Sequence, residues 1–144
     1  MLERIELRPD LGAARGSAEV ARVVRSGGVL GLVWNIRDES IDWVRRLTEV
    51  MTPSNAEEML AAGGPEVGPQ FDPLEHRSWR WSRPMTRDAL LAMARSRSYV
   101  ITAAPEVRAR IEADLEGLLD DVGAVGDAAV DLPYVTEAFR TVRR

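Results

Sequence analysis

Residues 17 to 40 change their hydrophobic period twice. In "AEVARVVRS" the residues Val20, Val23 and Val24 share one helical face, with Ser17 placed to cap the start and Gly27 and Gly28 to stop it. "VLGLVWN" then runs apolar without alternation, the pattern of a strand covered on both faces, and such strands belong mostly to parallel sheets. Helix, glycine turn and buried strand together predict the second half of a right-handed crossover unit. Ahead of it, "LERIELR" at residues 2 to 8 alternates well enough to predict a short strand, and "RPDLGAARG" reads as a loop.

Further on, Ser40 is placed to cap a helix over "IDWVRRLTEVM", in which Ile41, Val44, Leu47 and Met51 form the apolar stripe. Pro53 ends it. Ser54 and Glu57 have capping-box spacing for a short helix, "NAEEMLAA", closed by Gly63 and Gly64. "GGPEVGPQFDP" is the clearest loop in the chain, either a flap over a pocket or a plain surface connection. "EHRSWRWSR" alternates so that Trp79 and Trp81 share a face, which predicts a half-buried antiparallel strand. "TRDALLAMARS" predicts a helix started near Ser82 or Thr86. Pro105 opens a longer one, with Val107, Ile111, Leu115, Leu118 and Val122 at helical spacing. The chain then closes on a strand over "AAVDLPYVTEAFRTVRR", where Pro133 argues for an edge position or a bulge.

Composition narrows the classes of function. With 144 residues, 45% hydrophobic and 29% charged, the chain is sized for one globular domain. The longest apolar runs fall far short of the ~20 residues that cross a bilayer. The N-terminus is too charged for a signal peptide, so no membrane role and a cytoplasmic location are expected. With no cysteine there is no thiolate nucleophile and no cysteine metal motif. All 19 basic residues are arginine, a bias that codon usage explains, while the net charge of -4 argues against a nucleic-acid surface. Any anion site must be local.

The candidate ligand residues follow from placement. Asn35, Arg37 and Asp38, with Glu39, come after the carboxyl end of an apolar strand, where open α/β sheets place ligands. Asp38 and Ser40 serve equally well to cap the next helix. Arg97 and Tyr99 in "SRSYV" are suited to a pocket wall, arginine holding a carboxylate and tyrosine offering a hydrogen bond. His76, the single histidine, has no partner histidine for a metal and no nucleophile elbow for a triad. The arginine–tryptophan run from His76 to Arg83 resembles a single-strand nucleic-acid platform in composition, but its alternation favours packing tryptophans. The acidic residues between Glu112 and Asp121 read as a solvated helix face rather than a cation site.

The order of these motifs resembles the C-terminal half of class I S-adenosylmethionine-dependent methyltransferases of the methyltransferase type 11 group. Arg25-Ser26-Gly27-Gly28 is similar to that family's arginine-proline-glycine-glycine turn before the fifth strand, with serine for proline. Pro133-Tyr134-Val135-Thr136 is similar to its last-strand run. The likeness covers residues 17 to 143 of one domain and leaves 1 to 16 as a divergent segment. It implies an α/β fold: a partial Rossmann-like sheet, parallel-type at Val29 and antiparallel at Trp79 and Val130. It also places Asn35, Arg37 and Asp38 near the substrate side of the methyl-transfer site.

The family's cofactor motifs, a glycine-rich turn after the first strand and an acidic residue after the second, have no counterpart here; roughly another 100 residues would be needed in front. No cofactor is expected to bind alone. The resemblance therefore implies a truncated methyltransferase-like protein keeping a ligand-binding or dimerisation role, or the C-terminal half of a two-chain enzyme. A regulatory module without a small ligand is the third possibility, favoured if no pocket lies after Asn35. A strand as apolar as Val29 to Trp34 is expected to be covered by a homodimer partner or another chain.

Overall fold

The structure, a computed structural model, describes residues 9–144, with side chains from Gly16 onward. The strand expected over residues 2 to 8 lies outside the described residues. Among the described residues six helices and three strands follow one another: α1 (Pro9–Val23), β1 (Val29–Arg37), α2 (Asp42–Met51), α3 (Asn55–Ala61), β2 (Glu75–Thr86), α4 (Arg87–Arg95), α5 (Ser98–Thr102), α6 (Pro105–Asp121) and β3 (Ala129–Val142). The described part of the first helix already includes residues 9 to 16, so "RPDLGAARG" is mostly helix rather than loop and Ser17 lies inside the helix instead of capping it.

The strands form one sheet in the order β1-β3-β2. Beside β1, Gly27 N–H donates to Arg143 at one end and Asp38 N–H donates to Pro133 at the other, a register only antiparallel strands give. The Phe71–Arg143 bridge is antiparallel too. The parallel-type strand expected at Val29 is therefore corrected: among the described residues its one neighbour runs against it. Of the two placements expected for Pro133, the edge is corrected as well, since β3 is the central strand.

Contacts group the chain into two compact units. One comprises residues up to Trp34, Met59–Arg77 and Glu137–Arg144. In it Gly27, at φ 74°, turns the chain from α1 into β1 in a left-handed conformation that favours glycine. Along β1 burial alternates instead of staying continuous: Leu30 and Leu32 are partly covered, but Val29 is 53% and Val33 63% exposed. The expectation of cover on both faces fails for the described residues because no element packs on the valine side. The glycine- and proline-rich loop is tied down rather than free to act as a flap. Phe71 is buried, Asp72 N–H donates to Val142, and the Thr141 hydroxyl donates to the Asp72 carbonyl at 2.6 Å. His76 stacks on Phe139 with ring centroids 4.5 Å apart and pairs with Glu137.

The second unit comprises Asn35–Glu58 and Ser78–Thr136 and holds the larger core. Val44, Leu47 and Met51 of α2, Leu90 and Ala94 of α4, and Ile111, Leu115 and Leu118 of α6 meet there with Leu132 of β3. This follows the predicted helical stripes, with two corrections: Val107, 38% exposed in the first turn of α6, stays outside the core, and so does Ile41. Ile41, 42% exposed, precedes α2 as its N-cap residue and does not join the stripe. Thr86 caps α4, accepting a hydrogen bond from Ala89 N–H at 3.3 Å. The half-buried reading of the tryptophan strand is also corrected. Trp79 and Trp81 are 51% and 41% exposed, because β2 is an edge strand and nothing among the described residues covers their outer faces.

Candidate functional site

The second unit contains a cavity of about 430 Å³ at the carboxyl end of β1, lined by Asn35, Ile36, Arg37, Glu57, Met93, Arg97 and Tyr134 together with small residues. Three of the five candidate residues, Asn35, Arg37 and Arg97, meet there. Tyr99 does not; it lines an adjoining cavity that shares Arg97 and Ser54. Asp38 is on neither wall.

Arg37 ends β1 with its side chain 2% exposed. Its Nε donates to Thr48 Oγ1 at 3.0 Å, and its Nη2 lies 2.7 Å from Glu57 Oε1. The Glu57 carboxylate thus compensates the charge of the buried guanidinium. Burial pulls the Arg37 guanidinium below its ordinary value, Glu57 opposes this, and the like charge of Arg97 adds to the lowering.

Glu57 is placed by its own local structure. Ser54 and Glu57 form the capping box the spacing predicts: Ser54 N–H donates to Glu57 Oε2 at 2.7 Å, and Glu57 N–H donates to Ser54 Oγ at 3.3 Å. The Ser54 hydroxyl adds a third bond at 2.8 Å. One carboxylate oxygen thus serves the cap and the other serves Arg37. The capping signal was legible in sequence, whereas the pairing across 20 positions was not.

Polar order extends to the cavity's other wall. Trp81 Nε1 donates to Thr136 Oγ1 at 2.9 Å, and that hydroxyl donates to Asn35 Oδ1 at 2.7 Å. With its oxygen occupied, Asn35 has its amide N–H groups left to offer. The Trp81 and Tyr134 rings stack with centroids 4.8 Å apart, and Tyr134 O–H points to Met93 Sδ at 3.7 Å. Tyr134 and Glu57 are the site residues that sequence reasoning missed. Tyr134 was quoted only as part of the Pro133–Thr136 run, and Glu57 only as a cap.

Asp38 instead organises the turn after β1. Its Oδ1 accepts from Ser40 N–H at 3.1 Å and from the Ser40 hydroxyl at 2.6 Å, while its Oδ2 accepts from Arg80 Nε at 3.0 Å. Ser40 is therefore committed to Asp38 and does not cap α2, whose N-cap residue makes no side-chain bond. The Ser40 hydrogen bonds, then Arg80, hold the Asp38 carboxyl below the usual carboxylate range. A depressed folded-state value gives stability that is complete above the ordinary aspartate value of about 3.9 and is lost as pH falls through the lower one. Asp38→Asn is expected to cost about 1–2 kcal/mol at neutral pH. In urea melts across the acid range, the gap to wild type should close once the wild-type carboxyl is protonated.

No group of three or more potential metal ligands occurs among the described residues. Three of the α6 acids are engaged in ion pairs: Glu112 with Arg95, Asp120 with Arg87 and Asp121 with Arg46. No helix among the described residues is long and apolar enough to cross a membrane.

A mixed α/β chain with a three-stranded antiparallel sheet and a cavity at a strand's carboxyl end is the class this geometry defines, and its sequence is similar to those of proteins named methyltransferase. Proteins named uncharacterized methyltransferase in Mycobacterium bovis and Mycobacterium tuberculosis are each 38% identical to it over 128 residues, covering 88% of this chain and 51% of theirs. A Schizosaccharomyces pombe protein named uncharacterized methyltransferase-like is 27% identical over 128 residues, 84% of this chain and 49% of its own. The chain thus spans about half the length of the curated relatives it matches. No protein-family model matches it.

Proposed function

We propose that these residues form the C-terminal, acceptor-binding half of a class I S-adenosylmethionine-dependent methyltransferase and do not transfer a methyl group alone. The observation that carries this reading is the 38% identity over most of this chain to proteins named methyltransferase that are about twice as long. A Rossmann-like sheet in the complete enzyme agrees with β1 as an apolar strand with one described neighbour. The cavity lies at that strand's carboxyl end, where such sheets bind ligands. It also weakens the reading of a regulatory module without a small ligand.

The cavity does not suit S-adenosylmethionine itself. Its charged groups are two arginines and one carboxylate, and Glu57 is already spent on Arg37 and Ser54. A sulfonium cation would meet a surplus of positive charge. The cofactor is assigned to residues outside these, on the same or another polypeptide. Coexpression of this chain with a polypeptide matching the remaining half of the Mycobacterium tuberculosis relative should yield methyl transfer that neither gives alone. Micromolar calorimetric binding of S-adenosylmethionine by this chain alone would overturn that division of labour.

The edge of β1 that has no neighbour among the described residues, with Val29 and Val33 exposed beside it, is assigned to packing of the remaining half or a second copy. Val33→Ser should change the stability of the chain alone by no more than about 0.5 kcal/mol, as exposed sites do. It should weaken association measured by sedimentation. A clean monomer at micromolar concentration, unaltered by the substitution, excludes the homodimer.

A further inference from the structure

The cavity at the end of β1 has an uneven charge inventory. Arg37 and Arg97 both line it, and Glu57 is the one carboxylate among the lining residues. Both Glu57 oxygens are used, Oε1 by Arg37 and Oε2 by Ser54. Arg97 makes no ion pair and no side-chain hydrogen bond among the described residues; its backbone N–H donates to Ala94. Arg37 is buried and already committed, its Nε to Thr48 and its Nη2 to Glu57. Two cations that share a single carboxylate, itself fully engaged, are costly side by side. One further anion offsets the surplus.

The rest of the wall limits what that anion is. Ile36, Met93 and the Tyr134 ring give it an apolar side, and Tyr134 is held by its stack on Trp81. One surplus positive charge matches a monoanion better than a phosphate dianion, which would also face the Glu57 carboxylate. Guanidinium forks meet carboxylates with two parallel hydrogen bonds. We propose that this cavity binds the carboxylate of a small organic acid with an apolar body, Arg97 supplying the paired contact and the buried Arg37 a fixed positive charge beside it. Its assignment as the carboxylate anchor of the methyl acceptor rests on the function proposed above; the binding itself does not.

The test is titration of the full chain with 3-phenylpropanoate, its neutral counterpart 3-phenylpropanamide, and inorganic phosphate, followed by calorimetry and amide NMR. The acid should bind saturably, and the amide about tenfold or more weaker, since loss of a charge-assisted pair is worth at least that factor. Arg97→Gln should cause a comparable loss without altering the melting temperature appreciably, because the side chain has no ion partner to forfeit. Arg97→Lys, which keeps the charge but not the fork, should fall between. Arg95→Gln, which removes an ion pair with Glu112 outside the cavity, should bind the acid as wild type does. Equal binding of acid and amide overturns the inference, as does phosphate competing on equal terms, an Arg97→Gln variant that binds normally, or no saturable binding in the millimolar range. If binding stands but the coexpressed enzyme methylates no bound acid, the methyl-transfer reading falls and the carboxylate site remains.

Discussion

Glu57→Gln should destabilise the chain by about 3–5 kcal/mol, the scale found when one member of a buried ion pair is removed. The substitution keeps the shape of the side chain and removes its charge. Arg37, 2% exposed, is then left as a buried cation with Arg97 as the nearest charge named beside it. The capping box weakens at the same time, because the amide is a poorer acceptor for Ser54 N–H and its hydroxyl than the carboxylate is. Urea unfolding at neutral pH measures the loss. Replacing both partners, Arg37→Met with Glu57→Met, should recover much of it, since an apolar pair of similar volume often does as well as a buried ion pair. A Glu57→Gln loss below about 1 kcal/mol would place the pair among exposed salt bridges and contradict the burial described.

Leu47→Ala should cost about 2–5 kcal/mol through lost transfer energy and the cavity left behind. Leu47 is fully buried in the core where α2 meets α6, and a helix held on both sides cannot collapse into the space. The neighbouring test is Ile41→Ala. The sequence sets Ile41 and Leu47 in one stripe, but Ile41 stands exposed at the helix start. Its truncation should stay within about 0.5 kcal/mol. Equal losses at the two positions would mean that α2 begins earlier and lies deeper than described.

Much of the local structure was legible because local signals decide it. The Ser54–Glu57 box, the Thr86 cap and Pro105 at the start of α6 each satisfy orphan backbone groups within a few residues, so spacing alone reveals them. The stripes of α2 and α6 were legible in large part for a similar reason, since a 3.6-residue period states which face is apolar. Ser40 shows where this fails. It has the chemistry of a cap, but its hydroxyl has a stronger acceptor in Asp38, itself held by Arg80 from a distant strand.

The site divides along the same line. Asn35, Arg37 and Arg97 were found by their positions beside a strand end and within a turn. Glu57 and Tyr134 were missed because their roles depend on partners 20 and 53 positions away in the chain. No period or spacing encodes such a distance.

The sequence by itself determined most of the helices, the Ser54 and Thr86 caps, the apolar strand ended by a polar cluster, and the rule that any anion site must be local in an acidic chain. Tertiary structure alone decided that β3 lies between β1 and β2, that Val29, Val33, Trp79 and Trp81 stay open, and that Arg97 faces the cavity beside an already paired Arg37. The physical reason is that side-chain periodicity fixes which residues share a face but not what covers that face, and charge fixes the need for a partner but not which carboxylate reaches it.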